Sequence, residues 1–391
     1  MHEQETGIAE ALRSAKALHL DRSLQVFSTA GDRVALQGRS LLNFSSNDYL
    51  GLARHPEVVA GASKYLHRYG AGATSSRLVC GTLECHAALE EALAAFKGYP
   101  ASLAFSSGYA ANTGLIGAIV GRDDLVFADK FSHASLVDGA VLSRATLRRF
   151  AHNDAGHLEK LLKAAAPGSR KLIVTESVFS MDGDLAPLES LGQLAEEYGA
   201  MLLVDEAHAL GVFGPHGEGL VASRGLHRQV NLAVGTLSKA LGSAGGFVAC
   251  SRTMKEWLVN RARSFVYSTA LPPAQAGAVL AAIGILRGRT DPGAGLLNRA
   301  ASFRRLLTEA GFDVGRSESQ IVPVLVGDNE KAMRLSRRLL DRGILAAAIR
   351  PPTVPPNGAR LRFSIASGHT AEDIRAGAEA LIAAGREEGI P

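Results

Sequence analysis

Between about residues 100 and 250 the chain repeats one pattern: a short apolar run, a turn, then a stretch of helical periodicity. The runs Ser102–Phe105, Leu125–Ala128, Leu147–Phe150, Leu172–Glu176, Met201–Asp205, Leu232–Gly235 and Gly246–Cys250 read as strands. Segments such as His157–Ala165 and Leu188–Tyr198 read as amphipathic helices between them. Continuous apolar strands need cover on both faces, so this alternation predicts an α/β domain with a largely parallel sheet flanked by helices. In such sheets ligands gather beyond the carboxyl ends of the strands. Functional residues are therefore expected just after each apolar run.

The pattern changes at both ends. Residues 1–45 read as a helix followed by a hairpin turning near Ala30-Gly31-Asp32. After the break at Asp291-Pro292-Gly293, helices over Leu296–Ala310 and Lys331–Arg342 alternate with strands at Ile321–Val326 and Leu361–Ile365. A proline-rich turn, Pro351–Pro356, precedes the second strand, and a closing helix starts at Ala371. The expected division is a short N-terminal segment (1–45), a large α/β domain (46–288) and a smaller α+β C-terminal domain (289–391). Repeats and low-complexity linkers are absent from the sequence.

Composition narrows the function classes. A net charge of +4 arises from 42 basic and 38 acidic residues spread along all 391 positions, without the concentrated basic face of a nucleic-acid binder. Short pairs such as Arg261/Arg263 and Arg337-Arg338 read as solvated helix faces. Three cysteines, Cys80, Cys85 and Cys250, match no metal pattern and suit a reducing compartment. With no basic-then-apolar leader and no apolar run of about 20 residues, a cytoplasmic protein without membrane contact is expected.

Four groups of residues fall where the sheet should deliver them. Thr236-Leu237-Ser238-Lys239 follows one apolar run, and a lysine among small residues can point its amine into a cleft. Leu202-Leu203-Val204-Asp205 ends another, with His208 three positions on. An aspartate held there can pair with the protonated ring nitrogen of a pyridine cofactor, and the histidine can bond the ring's phenolic oxygen. Ser107, Gly108 and Tyr109 lie at a strand–turn–helix start whose free N–H groups suit a phosphate, and Thr236 can add a hydroxyl. His133 and Ser180 follow two further strands, His133 being able to stack on a ring and exchange a proton. Metal-ligand spacing is not seen. Asp205-Glu206-Ala207-His208 alone would suit a nucleotide hydrolase, but no phosphate-binding Gly-x-x-x-x-Gly-Lys-Ser/Thr loop accompanies it.

The set Asn43-Phe44-Ser45-Ser46-Asn47-Asp48-Tyr49-Leu50-Gly51, Ser132-His133-Ala134-Ser135, Ser180-Met181-Asp182-Gly183, Asp205-Glu206-Ala207-His208 and Thr236-x-x-Lys239 resembles the α-oxoamine synthases. These are fold-type I pyridoxal-phosphate enzymes, acyltransferases that condense an amino acid with an acyl thioester and release carbon dioxide. The resemblance runs from about residue 40 to about 370. It implies pyridoxal 5'-phosphate as cofactor, joined covalently to Lys239, with Asp205 at the ring nitrogen, His208 and Ser180 on the ring side and His133 stacked on the ring. It implies Gly108, Tyr109 and Thr236 as phosphate ligands, joined by Thr269 of the other protomer in a homodimer with active sites at the subunit boundary. Asn47 and Arg362 would receive the amino-acid carboxylate, with Arg350 and Arg360 as rivals, because Arg360 and Arg362 share one strand face. Thr353 would lie near the acyl substrate.

Within the family, Ile349-Arg350-Pro351-Pro352-Thr353-Val354-Pro355 and Arg149-Phe150-Ala151-His152-Asn153-Asp154 look most like the branch that joins L-alanine to pimeloyl-CoA or pimeloyl-acyl carrier protein in biotin biosynthesis. That branch places an N-terminal arginine near the acyl substrate. The matching position here is Asp21, with Arg22 beside it, and a one-residue shift would restore the contact. The nearest alternative pairs glycine with acetyl-CoA. A non-catalytic cofactor-binding regulator lacks support, since no DNA-binding extension exists. An aminotransferase would exchange keto acids without releasing carbon dioxide. A dinucleotide-binding dehydrogenase is disfavoured because Gly242-Ser243-Ala244-Gly245-Gly246 lacks the required glycine spacing.

Overall fold

A computed structural model describes residues 3–390 of the chain. They form two compact units: a larger one of residues 50–180 and 185–294, and a smaller one in which the N-terminal residues up to 49 join 181–184 and those from 295 onward. The N-terminal segment therefore shares a core with the C-terminal part.

The larger unit is built on a seven-stranded sheet. Its spatial order is Ala101–Phe105, Gly246–Cys250, Leu232–Thr236, Met201–Asp205, Lys171–Glu176, Leu125–Asp129 and Thr146–Phe150. Neighbours pair in parallel except Gly246–Cys250, which runs antiparallel to both strands beside it. Every strand expected in this sheet is present to within one residue at each end. Four of the seven, Ala101–Phe105, Leu125–Asp129, Leu232–Thr236 and Gly246–Cys250, are buried at every position, and Lys171–Glu176 and Met201–Asp205 are buried after their first residue, as expected of a sheet covered on both faces. One core face packs Leu103, Val126, Val174, Leu203, Val234 and Val248 against Leu115, Ile116 and Leu136 of the helices Gly108–Ile119 and Ala134–Ser143.

Helix starts follow local capping. The helix expected at His157–Ala165 is Ala155–Lys163, because the Asp154 side chain accepts the His157 N–H at 2.8 Å and begins the helix earlier. The helix Pro273–Arg287 carries little periodicity, since it is almost wholly small and apolar. It packs on Pro56–Tyr69 where Gly61 and Gly277 meet: a Cβ on Gly61 would stand 2.7 Å from the Gly277 carbonyl oxygen.

In the smaller unit the strands Ile321–Gly327, Ala359–Ser364 and Ala347–Ile349 form an antiparallel sheet. A second sheet pairs Arg33–Leu36 with Arg39–Asn43 and adds Ile344–Leu345 in parallel. The hairpin expected at Ala30-Gly31-Asp32 instead turns at Gln37-Gly38. Both turn residues have positive φ (50° and 79°), which matches the strand twist in a two-residue loop. Gly31 and Asp32 sit opposite Asn43 instead, whose side-chain and backbone N–H groups bond their carbonyls at 2.9 and 2.8 Å. Helices Ala294–Glu309, Asn329–Asp341 and Ala371–Glu387 cover a core centred on Phe44, Phe303 and Phe363, whose ring centroids lie 5.0–5.7 Å apart. The short strands 344–345 and 347–349 had no detectable periodicity. Among the described residues no helix is long and apolar enough to cross a membrane, and no cluster of potential metal ligands occurs.

Candidate active site

Five of the parallel strands of the large sheet lead, at their carboxyl ends or in the turns that follow, to residues that the sequence singled out: Ser107, His133, Ser180, Asp205 with His208, and Thr236 with Lys239. Apolar side chains along the strands anchor the sheet in the core, so the first polar positions are delivered at its carboxyl edge. There the Lys239 amine lies 2.8 Å from Nε2 of His208. The Asp205 carboxylate, 7% exposed, accepts the Ala207 N–H at 2.9 Å and the Asn112 amide Nδ2–H at 2.7 Å. Buried and twice bonded, it is held in one orientation.

His133 caps the helix Ala134–Ser143, its Nδ1 accepting the Ser135 N–H at 3.2 Å and lying 2.8 Å from the Ser135 hydroxyl. Its backbone N–H donates to Glu176 at 2.7 Å. Burial holds the His133 imidazole below its ordinary pKa; Asp205 and Asp138 oppose that shift, and Lys239 adds to it. Glu176 pairs in register with Asp205 on the adjacent strand. Burial, reinforced by the Asp205 charge, pushes the Glu176 carboxyl up to about 8 against the pull of Lys239 and of N–H bonds from His133 and Ser180. Ser180 itself is buried.

The helix Gly108–Ile119 begins at this edge. Ser107 caps it by accepting the Ala110 N–H at 3.0 Å, which leaves the first-turn N–H groups pointing outward. Thr236 stands close by, its Cβ 3.6 Å from where a Cβ on Gly108 would lie, and its hydroxyl is 2.7 Å from that of Ser238. Gly246 must be glycine here: a Cβ would meet the Gly108 nitrogen at 2.5 Å. The Tyr109 phenol bonds Asp138 on the exposed side of the helix, which raises its pKa. Thr269 is exposed and its backbone bridges Ser76.

Of the residues expected to meet substrate, all but His133 lie in the smaller unit. Arg362 Nη2 reaches Asn47 Oδ1 at 3.2 Å, and Nη1 donates to the Ser364 hydroxyl at 2.9 Å. Its two rivals are committed elsewhere. Arg360 forms an ion pair with Asp182 at 2.5 Å, and Arg350 donates to the backbone carbonyls of His19 and Asp21. Arg22 Nη2 lies 3.5 Å from the Thr353 hydroxyl, so it is Arg22, not Asp21, whose side chain turns toward Thr353.

Three residues at the sheet edge were not singled out from sequence: Asn112, Ser135 and Glu176. Asn112 and Ser135 are neutral residues inside helices and carry no catalytic signature. Glu176 did have one: it ends a buried apolar strand in the same way as Asp205.

The edge fits pyridoxal phosphate by its donor set. The helix start with Thr236 suits a phosphate, the Lys239 amine suits an aldehyde, and the immobilised Asp205 carboxylate suits a protonated ring nitrogen.

Comparison with known proteins gives the same reading. The family described as aminotransferase class I and II matches residues 39–381. The 8-amino-7-oxononanoate synthase of Geobacter sulfurreducens is 49% identical over 98% of this chain and 99% of its own length. A structure of serine palmitoyltransferase (SPT) with PLP as an internal aldimine superposes with a TM-score of 0.90 at 33% identity, covering 99% of this chain and 98% of that one. The 8-amino-7-oxononanoate synthase of Francisella tularensis gives 0.78 at 30% identity, covering 90% and 99%. The chain belongs to the class I and II aminotransferase family, among the pyridoxal-phosphate acyltransferases that include the 8-amino-7-oxononanoate synthases.

Proposed function

We propose that the protein condenses L-alanine with pimeloyl-CoA or pimeloyl-acyl carrier protein to give 8-amino-7-oxononanoate, carbon dioxide and the free thiol carrier. The observation that carries this reading is the 49% identity, over nearly the full length of both chains, to a synthase named for that product. Lys239, 2.8 Å from His208, fits the covalent anchor of the cofactor and, once displaced by the incoming amine, the base that takes the α-proton. When bound, pyridoxal phosphate supplies the sink for the electron pair that this proton leaves behind. Asp205 keeps a negative charge against the ring nitrogen and so strengthens that sink.

The remaining roles are assigned on the same basis. Gly108, Tyr109, Ser107 and Thr236 hold the phosphate, with Thr269 contributed by a second copy in a homodimer. Ser180 and His208 bond the ring side, and His133 covers the ring. Arg362 with Asn47 receives the alanine carboxylate, a task for which a planar guanidinium is well shaped. Arg22 and Thr353 meet the acyl substrate, with Arg350 holding the segment that carries Arg22. The cytoplasm is the proposed place of work.

Steady-state assays with product mass test the proposal. Alanine plus a pimeloyl thioester should yield the nine-carbon amino ketone and carbon dioxide in equal amounts. Faster turnover of glycine with acetyl-CoA would replace this reading with the acetyltransferase one. Borohydride reduction of the cofactor-loaded enzyme should trap the adduct on a peptide containing Lys239, and a missing adduct would overturn the site itself.

A further inference from the structure

A chain of hydrogen bonds links Asp205 to His133 through two residues with no assigned role. Asn112 Nδ2 donates to Asp205 Oδ2 at 2.7 Å and to the Ser135 hydroxyl at 2.9 Å. The Ser135 hydroxyl lies 2.8 Å from His133 Nδ1, and the Ser135 backbone N–H donates to the same nitrogen at 3.2 Å. Asn112 and Ser135 are each 1% exposed, so water does not compete. We propose that Asn112 and Ser135 are positioning residues that hold His133 as the Nε2–H tautomer, so that it meets the substrate as a hydrogen-bond donor and not as a base.

The argument runs outward from the carboxylate. A carboxylate only accepts, so the Asn112 atom facing it is the amide nitrogen, and a flipped amide would set oxygen against oxygen. The second amide hydrogen then goes to the Ser135 oxygen, which leaves the hydroxyl hydrogen for His133 Nδ1. The backbone N–H of Ser135 can only donate. Two donors therefore point at Nδ1, which must carry its lone pair, and the imidazole proton is placed on Nε2. Asn112 Oδ1 is buried without a partner, which is the cost of turning both amide hydrogens toward Asp205 and Ser135.

The charged groups facing His133 come from four elements. They are Asp138 on its own helix, Asp205 and Glu176 at the ends of their strands, and Lys239 after strand Leu232–Thr236. The lowered pKa of the imidazole agrees with a neutral ring, since protonation would put a hydrogen against both donors at Nδ1. A ring with its proton on Nε2 can donate to the carbonyl oxygen of an acyl thioester as charge develops there. Only the identity of that oxygen rests on the proposed acyl transfer; the tautomer does not.

The test uses cofactor-loaded protein labelled with ¹⁵N-histidine, with the His133 signals identified by their loss in His133→Gln. The wild type should show a lone-pair-type shift at Nδ1 and a proton-bearing shift at Nε2 across pH 6–8. Ser135→Ala and Asn112→Ala should each mix the tautomers and move the titration of His133 upward, whereas Ser135→Thr should restore the wild-type spectrum. In the alanine-dependent reaction, Asn112→Ala should lower kcat by up to roughly 10²-fold, the scale for losing one oriented donor. A proton on Nδ1 of the wild type, or an unchanged His133 spectrum in both alanine variants, would overturn the proposal. If Asn112→Ala does not fold, the wild-type and Ser135→Ala spectra decide the matter. A failure of pimeloyl transfer leaves the imidazole spectrum untouched, so the two proposals fail separately.

Discussion

At the scale of single residues, the proposed chemistry divides between Lys239 and Asp205. A positioned base supplies about 10²–10⁴-fold, and each further tenfold needs about 1.4 kcal/mol of barrier reduction, which in the proposed reaction comes from the sink that Asp205 would support. Asp205→Ala is therefore expected to damage kcat about as severely as Lys239→Ala, and near wild-type turnover in Asp205→Ala would contradict that division. Glu176 offers a prediction in pH. Its folded-state pKa, about 8, lies above the unfolded value of about 4.3, so the folded state holds the proton more tightly. The stability this contributes is complete below the unfolded pKa and is lost as pH rises through 8. Urea unfolding of the cofactor-free protein between pH 5 and 8 should show a steeper loss of stability in the wild type than in Glu176→Gln. The slope is the readout, because glutamine keeps only one acceptor for the His133 and Ser180 N–H groups and shifts the level as well.

At the scale of elements, the proposed phosphate cup depends on how closely one strand approaches one helix. Strand Gly246–Cys250 starts against the first turn of helix Gly108–Ile119, and a methyl group at Gly246 would stand 2.5 Å from the Gly108 nitrogen. Backbone cannot yield as a flexible side chain can, so Gly246→Ala should displace the helix start at a cost of about 1–3 kcal/mol. Because those N–H groups are the proposed phosphate donors, cofactor affinity measured by absorbance titration should fall at least tenfold. Unchanged affinity would mean that the helix start is not the phosphate site. The cap at Asp154 is a milder case: Asp154→Ala should lower thermal stability by about 1 kcal/mol, with turnover unaffected, as measured by melting and by the standard assay.

At the scale of the whole molecule, the smaller unit holds the N-terminal segment and the C-terminal elements in one core. Phe44 arrives from the first part of the chain, Phe303 and Phe363 from the last, and all three are fully buried. Phe363→Ala should cost about 3–5 kcal/mol, since the surrounding rings can fill the vacated volume only in part. Denaturant unfolding would show it, and a loss below about 1 kcal/mol would mean that the core is not packed as described. The charges of this unit are paired between its elements: Arg338 and Arg342 meet Glu387 and Glu388 on its surface.

What was legible in the sequence was whatever depends on neighbours along the chain. Strand runs such as Met201–Asp205 show themselves because burial on both faces demands unbroken apolar residues, and the polar residues that end them mark the edge where Lys239, Asp205, His133 and Ser180 belong. The family likeness was carried by the same motifs. Other features depend on residues far apart in the chain, and only the folded chain decided them. Which arginine reaches Asn47 turned on Asp182 neutralising Arg360 from a distant segment. The hairpin turn at Gln37-Gly38 was set by register with Asn43. The Asn112–Ser135–His133 chain formed because two helices and a strand end converge on one buried carboxylate. Hydrogen bonds reach only about 3 Å, so pairings of this kind are made by packing and leave no periodic trace in the sequence.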